Sequence, residues 1–358
     1  MDIFYVDQLP TEILMEILIH FELHDLQTFK QLSNNLYIIY NNLLKNKLFV
    51  SQLYETILNN NGYITDNNMN IIQIKNLCIK LSPIPGNVSL VDKNKNSVVI
   101  KPINLPEQIV NIFQVEMLSF FLSKKNIIYM HNHHYTTNYN KLLMPIPVTD
   151  IIKYGSQYVI LSKGKIYYGS LLIKPKQRGS PDCHIDLKQL NDIDNIINIC
   201  LCKSDNTILF HRINGDVCGW GKKDKPYIIA KNVKQLACAN VGPILTGNKE
   251  YIHSGNEYII PGRNWFITIS PSKTIPGSTI IKKCTEKTSE IIYNNHFING
   301  ALSGDHIILI DDKQQLHNTV PESYILQPES IHNVIKTVGF DTFGGSRNLP
   351  YKYYVITK

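Results

Sequence analysis

The stretch "IIKYGSQYVILSKGKIYYG", residues 151–169, shows how most of the chain is built. Short runs of Ile, Val, Leu and Tyr are interrupted first by Gly155-Ser156 and then by Lys163-Gly164. β-Branched and aromatic residues favour strands, whereas Gly and small polar residues favour turns. The pattern therefore predicts three short strands joined by tight turns.

A second stretch, "QLACANVGPILTGNKEYIH", residues 235–253, aligns with the first without a gap. The matched positions are Ile152 with Leu236, Ile160 with Ile244, Leu161 with Leu245, Ser162 with Thr246 and Tyr167 with Tyr251. Looser copies begin at Met117, Asn206 and Asp305. A mean spacing of about 40–50 residues is typical of the blades of a β-propeller. A single blade cannot bury both of its faces, so several blades are expected to close into a ring.

The β-rich region, residues 76–358, predicts six or seven blades at about 40–50 residues each. Near its end, "YYVIT" at residues 353–357 resembles "YVILS" at residues 158–162, but no return strand follows it. We expect the missing partners to come from the start of the region, around residues 77–90, so that the first and last strands join the ring. The alternative is that the tail forms a lone edge strand.

At the other end of the chain, "LPTEILMEIL", residues 9–18, has the spacing of a helix with too few polar positions. Ile13 and Ile17 lie on one stripe, and Leu14 and Leu18 lie on another. The polar stripe consists of Glu12, Glu16 and His20. Such a helix needs apolar neighbours on two sides. One set can come from its own chain, and we expect the other to come from a partner.

Further helices are predicted after the capping residues Asp25 and Ser33 and over residues 46–58. The Asn-rich segment 59–70 then indicates a linker. The predicted organisation is α+β and multidomain. It consists of a small helical domain at residues 1–50, a helical and Asn-rich linker at residues 51–75, and an all-β propeller at residues 76–358.

The segment 9–36 resembles an F-box. The matching residues are Leu9, Pro10, Glu12, Ile13, Leu14, Ile17, Leu18, Asp25, Leu26, Leu32 and Ser33. It departs from that family at Leu36, where an aromatic residue is usual. The resemblance implies docking on a Skp-type adaptor and, through it, on a cullin. The implied adaptor-binding residues are Leu9, Pro10, Ile13, Leu14, Ile17, Leu18 and Leu26. The alternative is an ordinary helical hairpin packed on the β domain.

The β region resembles the repeats named after the regulator of chromosome condensation. The similarity lies in "VCGWGK", residues 217–222, and in "LACANVGPILT", residues 236–246. The chain departs from that family at Ala239 and Gly242, and it lacks the Gly-Gln-Leu-Gly run that usually follows Trp-Gly. An F-box, such repeats and heavy use of Ile, Asn and Lys together resemble proteins of giant DNA viruses.

Amino-acid composition and charge indicate which broad class of protein this is. Of 358 residues, 43% are hydrophobic and 18% are charged, which is typical of a globular protein. The net charge of +7 comes from scattered lysines without a basic helix, so nucleic-acid binding is not expected. No apolar run reaches the roughly 18–20 residues of a membrane span, and no secretory signal is evident. Seven cysteines without regular spacing indicate reduced thiols in the cytoplasm or nucleus, of a host cell if the protein is viral.

Two clusters suggest metal sites but lack the spacing of ligands. His131, His133 and His134 have no Cys or carboxylate partner nearby, and Cys200 and Cys202 are expected to face one side of a strand as core residues. No catalytic triad, paired carboxylates or phosphate-binding loop is present, so neither catalysis nor a cofactor is expected.

The predicted function is that of a substrate-recognition adaptor of a Skp–cullin–F-box type ubiquitin ligase, with the propeller binding the client protein. Two alternatives remain open at this point. One is guanine-nucleotide exchange, by analogy with the founder of the repeat family. The other is a protein-binding scaffold unconnected with ubiquitin.

Overall fold

The computed structural model describes two compact units, Met1–Ile84 and Pro85–Lys358. The described residues are 9–20, 38, 42–43, 45–63, 74, 77–78, 80–81, 83–94, 97–115, 118–132, 139–174, 182–202, 206–221, 225–239, 242–247, 253–254, 258–261, 266–271, 279–284, 289–293, 297–303, 306–319, 326–329, 331–339 and 351–358. None of the helices in these ranges has the length and apolar character needed to cross a membrane.

The first unit contains two helices with full bounds, α1 (Thr11–Leu18) and α2 (Lys47–Asn60). Asn46 precedes α2, and its Oδ1 accepts a hydrogen bond from the Phe49 amide at 3.4 Å, which satisfies one free N–H at the helix start. Phe49, Leu53 and Ile57 recur four residues apart and are all buried. The helix predicted over residues 46–58 is therefore confirmed, and its apolar stripe forms part of the core of this unit.

The predicted linker needs correction at both of its ends. Helix α2 continues to Asn60, and the chain then turns through Gly62, whose φ is 77°, to bury Tyr63. Leu77 and Cys78 are helical and buried rather than extended. Strand structure therefore starts later than the residue near 76 that the sequence suggested. Residues 64–70 of the expected linker lie outside the described residues.

The second unit is built of short strands. They are β1 (Asn87–Asn94), β2 (Ser97–Ile103), β3 (Ile109–Val115), β4 (Leu118–Ser123), β5 (Ile127–Asn132), β6 (Asn140–Leu143), β7 (Asp150–Tyr154), β8 (Gln157–Ser162), β9 (Lys165–Lys174), β10 (Asp182–Leu190), β11 (Ile196–Cys202), β12 (Thr207–Arg212), β13 (Val217–Trp220), β14 (Tyr227–Ala230), β15 (Gln235–Ala239), β16 (Gly242–Gly247), β17 (His253–Ser254), β18 (Tyr258–Pro261), β19 (Phe266–Pro271), β20 (Thr279–Cys284), β21 (Ser289–Tyr293), β22 (Phe297–Ser303), β23 (His306–Asp311), β24 (Leu316–Thr319), β25 (Leu326–Pro328), β26 (Val334–Gly339) and β27 (Tyr351–Thr357).

Within the described ranges, these strands form a propeller in which five blades are separate sheets. Their strand orders are β2-β1-β27-β26, β11-β12-β13-β14, β15-β16-β17, β18-β19-β20-β21 and β22-β23-β24-β25. The remaining strands form one eight-stranded sheet, β3-β4-β5-β6-β10-β9-β8-β7. Its two halves meet through a single parallel bridge between Leu142 and Cys183. The all-β propeller is confirmed, but the prediction of six or seven blades is wrong, because two neighbouring meanders share one sheet and repeat length does not reveal hydrogen bonding between them.

The innermost strands close a ring. In order around it they are β3, β7, β11, β15, β18, β22 and β26, and each contacts the next. Strand β26 also contacts β3, which completes the circuit. The first and last strands of the unit thus lie in one blade, as expected, and a ring of this kind leaves only short, protected sheet edges.

The C-terminal strand β27 holds the closing blade together. It pairs antiparallel with β1 on one side and with β26 on the other, with Val88 opposite Ile356 and Leu90 opposite Tyr354. The closing role predicted for this tail is confirmed, and the alternative of a lone edge strand is wrong. The partner strand begins at Asn87 rather than at about residue 77, because Leu77 and Cys78 are helical.

Neighbouring blades are joined by a repeated backbone contact. A carbonyl in the turn after the second strand of one blade accepts a hydrogen bond from an amide at, or two residues before, the start of the next inner strand. The Gly164 carbonyl accepts from the Ile196 amide at 2.9 Å, and the Gly215 carbonyl accepts from the Val233 amide at 2.9 Å. Gly164 and Gly215 have positive φ values of 74° and 89°, a conformation that glycine adopts without steric cost. These contacts set the position of each inner strand relative to the preceding blade.

Candidate adaptor-binding site

Helix α1 divides its apolar side chains between two environments. Leu14 and Leu18 have no exposed surface, whereas Ile13 is 48% exposed and Ile17 is 39% exposed. Each pair is spaced by four residues, so each forms its own stripe along the helix. The two leucines therefore belong to the core of the first unit, and the two isoleucines form an outward stripe.

The start of α1 is set by Leu9 and Pro10. Pro10 has an extended backbone with ψ at 144° and stands just before the helix rather than in its first turn. Its carbonyl accepts the first helical hydrogen bond from the Leu14 amide at 3.0 Å. Pro10 is exposed and Leu9 is half-buried. The helix ends with the Ile19 amide bonded to the Met15 carbonyl at 3.1 Å.

The structure separates the residues that the F-box resemblance grouped together. Ile13, Ile17 and Pro10 are exposed, while Leu14 and Leu18 are buried within their own unit. Leu26, Asp25, Leu32, Ser33 and Leu36 lie outside the described residues. Because Leu14 and Leu18 are buried, the structure does not support their predicted contact with a partner. The adaptor-binding role of the other residues stays a prediction.

One exposed residue of this unit was missed. Ile38 is helical and 56% exposed, which makes it the most exposed of the large apolar side chains in the described part of the chain. The F-box resemblance assigned no role to this residue. Ile13, Ile17 and Ile38 are called the exposed isoleucines of the first unit below.

The chemistry available on α1 is apolar contact. Glu16 and His20 are also exposed, and each follows an isoleucine of the outward stripe by three residues, so they border that stripe. Fully burying one Ile side chain contributes about 1.5–3 kcal/mol, so two adjacent ones contribute substantially to an interface with a protein partner.

The propeller carries two further apolar surfaces, both on outer edge strands. Val98, Val99 and Ile100 on β2 are each about two-fifths exposed. Ile228 and Ile229 on β14 are 52% and 44% exposed. In both strands the exposed residues are consecutive, so they point to opposite faces of the strand. Sequence reasoning treated both segments as ordinary strands and missed their exposure.

The structure gives different environments to the histidine cluster and the cysteine pair that were considered as metal sites. In the described ranges, no group of three or more His, Cys, Asp or Glu side chains is placed to hold a metal ion. His131 stacks near Tyr139 with ring centroids 5.1 Å apart, while His133 and His134 lie outside the described residues. Cys202 is buried, as expected for a core residue. Cys200 is not a free thiol, because it is bonded to Cys238.

Comparison with protein families identifies the N-terminal segment. Residues 6–46 match the family model of the F-box domain. This match covers α1, the two exposed isoleucines on it and Ile38. No curated protein matches the chain in sequence.

Comparison with solved structures concerns the propeller. The chain is similar to yeast RCC1 (Prp20) bound to Kap60, with a TM-score of 0.54, 10% identity and coverage of 83% of this chain and 94% of that one. It is similar to Prp20p from Saccharomyces cerevisiae, with a TM-score of 0.52, 12% identity and coverage of 81% and 95%. It is also similar to human WBSCR16, with a TM-score of 0.51, 11% identity and coverage of 76% of this chain and 100% of that one. At these identities the likeness establishes an RCC1-like propeller fold and nothing about activity.

Proposed function

We propose that the protein is a substrate-recognition adaptor of a Skp–cullin–F-box type ubiquitin ligase. The first unit docks on a Skp-type adaptor and, through it, on a cullin. The propeller binds a client protein. The chain then acts as a binding protein rather than a catalyst, because holding the client near the charged conjugating enzyme raises their effective concentration.

The observation that carries the proposal is the outward stripe on α1 inside the F-box match. Ile13 and Ile17 are exposed although Leu14 and Leu18, on the same helix, are fully buried. A helix that already has a core of its own gains nothing in the isolated chain from two further large apolar side chains. Their exposure is explained if a partner covers them.

The propeller supports the client-binding half of the proposal by its architecture alone. Its ring is closed by β1 and β27, so its faces are held on a rigid framework. RCC1-like folds host different functions, and the likeness at 10–12% identity does not favour nucleotide exchange over client binding. We further propose that the protein acts in the cytoplasm or nucleus of a host cell, as the product of a giant DNA virus.

The test is a pull-down of a purified Skp-type protein by the full chain and by Ile13→Ala with Ile17→Ala. Removing most of both side chains should weaken capture at least about tenfold, since each truncation removes on the order of 1 kcal/mol of buried surface. The matched control is Ile228→Ala with Ile229→Ala, which removes two similarly exposed isoleucines from the propeller. This control should capture the adaptor as the wild type does.

Circular dichroism shows whether each variant is folded, and little change is expected because the four side chains are exposed. Wild-type protein that captures no Skp-type protein would remove the ubiquitin function. Equal capture by all three proteins would leave the function standing and place the adaptor elsewhere than on the outward stripe. A Leu9→Ala with Pro10→Ala variant then tests the start of α1 as the alternative contact.

A further inference from the structure

A covalent link crosses one junction between blades. Cys200 on β11 is joined to Cys238 on β15 by a disulfide that spans 38 residues of sequence. The two Cα atoms are 6.0 Å apart, within the range that a disulfide requires. Because β11 and β15 are inner strands of neighbouring blades, the link holds two successive blades together at the ring itself.

The paired cysteines differ in exposure from the free cysteines of the described residues. Cys200 and Cys238 are both half-buried, whereas Cys78, Cys202 and Cys218 are buried. Burial raises the pKa of the Cys78 thiol to about 12 and also raises the pKa of Cys218. Both therefore remain protonated and unreactive near neutral pH. Solvent and a small reductant reach the linked pair more readily than these thiols.

The remaining contacts at this junction are non-covalent. The Asn198 side chain on β11 donates from Nδ2 to the Leu236 carbonyl on β15 at 2.8 Å. Cys200 and Cys238 pack at the edge of an apolar cluster that contains Val233, Leu236 and Cys202. The blade on the far side, β15-β16-β17, has three strands in the described ranges where the other separate blades have four. The covalent link therefore joins β15-β16-β17, the sheet with the fewest strands in the described residues, to its neighbour.

We infer that the link between Cys200 and Cys238 is a reducible connection between these two blades, and that its reduction by a dithiol lowers the stability of the ring. A dithiol reductant opens it by attack of one thiolate on one sulfur, which breaks the S–S bond and forms a mixed disulfide. The second thiol of the reductant then displaces the protein sulfur. Two electrons and two protons pass to Cys200 and Cys238, and the reductant leaves as a cyclic disulfide.

Reducing the disulfide leaves the hydrogen bond between Asn198 and Leu236 and the apolar cluster in place. The reduced ring therefore stays closed but unfolds more readily. A link that closes a loop of 38 residues restricts the unfolded chain substantially. For a unit of this size we expect reduction to lower Tm by roughly 5–10 °C. This inference concerns the propeller alone and holds whether or not the first unit binds an adaptor.

The experiment measures Tm of the full chain, purified without reductant, before and after incubation with dithiothreitol. Wild type, Cys200→Ser and Cys238→Ser are compared with Cys202→Ala, which removes a cysteine of the same strand as Cys200 that is not part of the disulfide. Wild type and the Cys202→Ala control should lose roughly 5–10 °C on reduction. The Cys200→Ser and Cys238→Ser variants should show no change on reduction.

A second measurement does not depend on the variants folding. Peptide mass spectrometry of the untreated wild type should detect the peptides of Cys200 and Cys238 joined, and brief alkylation after reduction should label these two cysteines before Cys202 and Cys218. Absence of the joined peptide overturns the inference. A Tm that is unchanged by dithiothreitol in wild type, or changed equally in all four proteins, overturns it as well.

Discussion

Two blades of the propeller have four strands each, but one is formed by a continuous segment of the chain and the other by segments that are far apart in sequence. The blade β11-β12-β13-β14 uses one continuous segment, with each strand followed by its neighbour. The closing blade uses β1 and β2 from the start of the unit and β26 and β27 from its end. Local turns bring the first blade together, whereas the second forms only after the two ends of the unit meet.

The distribution of apolar surface is the same in both blades. Both outer strands expose large side chains, Ile228 and Ile229 on β14 and Val98, Val99 and Ile100 on β2. The strand next to the inner one is buried in both, and on β27 this covers all four residues from Tyr353 to Ile356. A blade assembled from distant segments must offset the entropy of closing a long loop, and extensive burial on β27 supplies that free energy.

The largest effect is expected when the chain is truncated after residue 350, which removes β27 and tests whether the closing blade depends on it. Four buried side chains at about 1.5–3 kcal/mol each amount to about 6–12 kcal/mol, comparable with the whole stability of a typical domain. We expect the propeller to lose its cooperative thermal transition, as followed by circular dichroism. Removing Lys358 alone is the control and should leave the transition nearly unchanged. A truncated chain that melts like the full one contradicts closure by β27.

A smaller effect is expected at Gly339 on β26, the inner strand of the closing blade. A Cβ added there would lie 1.8 Å from the Leu302 carbonyl oxygen on β22, so one inner strand must move. Gly339→Ala should cost about 3 kcal/mol in urea unfolding. Gly155→Ala, at an open turn between β7 and β8 with φ at 59°, should cost only about 1 kcal/mol from backbone strain. Equal losses of unfolding free energy in the two variants would show that β22 and β26 can move apart at little cost in stability.

The pH dependence of stability tests the packing of Tyr354 on β27. Burial raises the pKa of this phenol, against a lowering by its hydrogen bond to Ser119. The unfolded chain therefore releases this proton first, so the contribution is intact below about pH 10 and is lost as pH rises above it. Between pH 8 and pH 11, wild type should lose more stability than Tyr354→Phe, as measured by urea unfolding. Parallel losses in the two proteins would mean that this hydroxyl ionises freely in the folded state.

The smallest effect is expected for a surface ion pair of the continuous blade. Arg212 Nη2 lies 2.7 Å from Asp194 Oδ1, but both side chains are substantially exposed. Asp194→Asn should cost less than about 1 kcal/mol, and the difference should shrink in 1 M salt. Unfolding titrations at low and high salt measure both quantities. A loss above about 2 kcal/mol would show that this pair orders the start of β11.

The repeat in the sequence predicted local structure well where pairing is local. Residues 157–162 and 242–247 both form second strands of their blades, as the alignment of the two stretches indicated. The third strand departs from the prediction, because β17 pairs with β16 in parallel through Thr246 and His253. Antiparallel hairpins follow from turn residues, whereas a parallel pairing requires a connection whose path the local sequence does not specify.

A polar position in the inner strands was also missed. Asn111, Asn198, Asn299 and Lys336 each stand beside a shift in strand register and are half-buried. Lys336 Nζ donates to Asn111 Oδ1 across the junction of β26 and β3. The signal was present as a polar residue two positions after a buried apolar one. Its meaning depends on the neighbouring blade, which is distant in sequence.

Sequence by itself determined the helical start, the strand-rich remainder and the pairing of the two ends, because these follow from periodicity, turn residues and the need to cover sheet edges. Only the tertiary structure decided which side chains remain outside. Ile13 and Leu14 are adjacent and chemically alike, yet one is exposed and the other buried. Cys200 and Cys202 likewise belong to one strand, yet Cys200 is half-buried and bonded to Cys238 on the next blade, while Cys202 is buried. Burial is a property of what the rest of the chain places opposite a residue, and no local pattern contains that information.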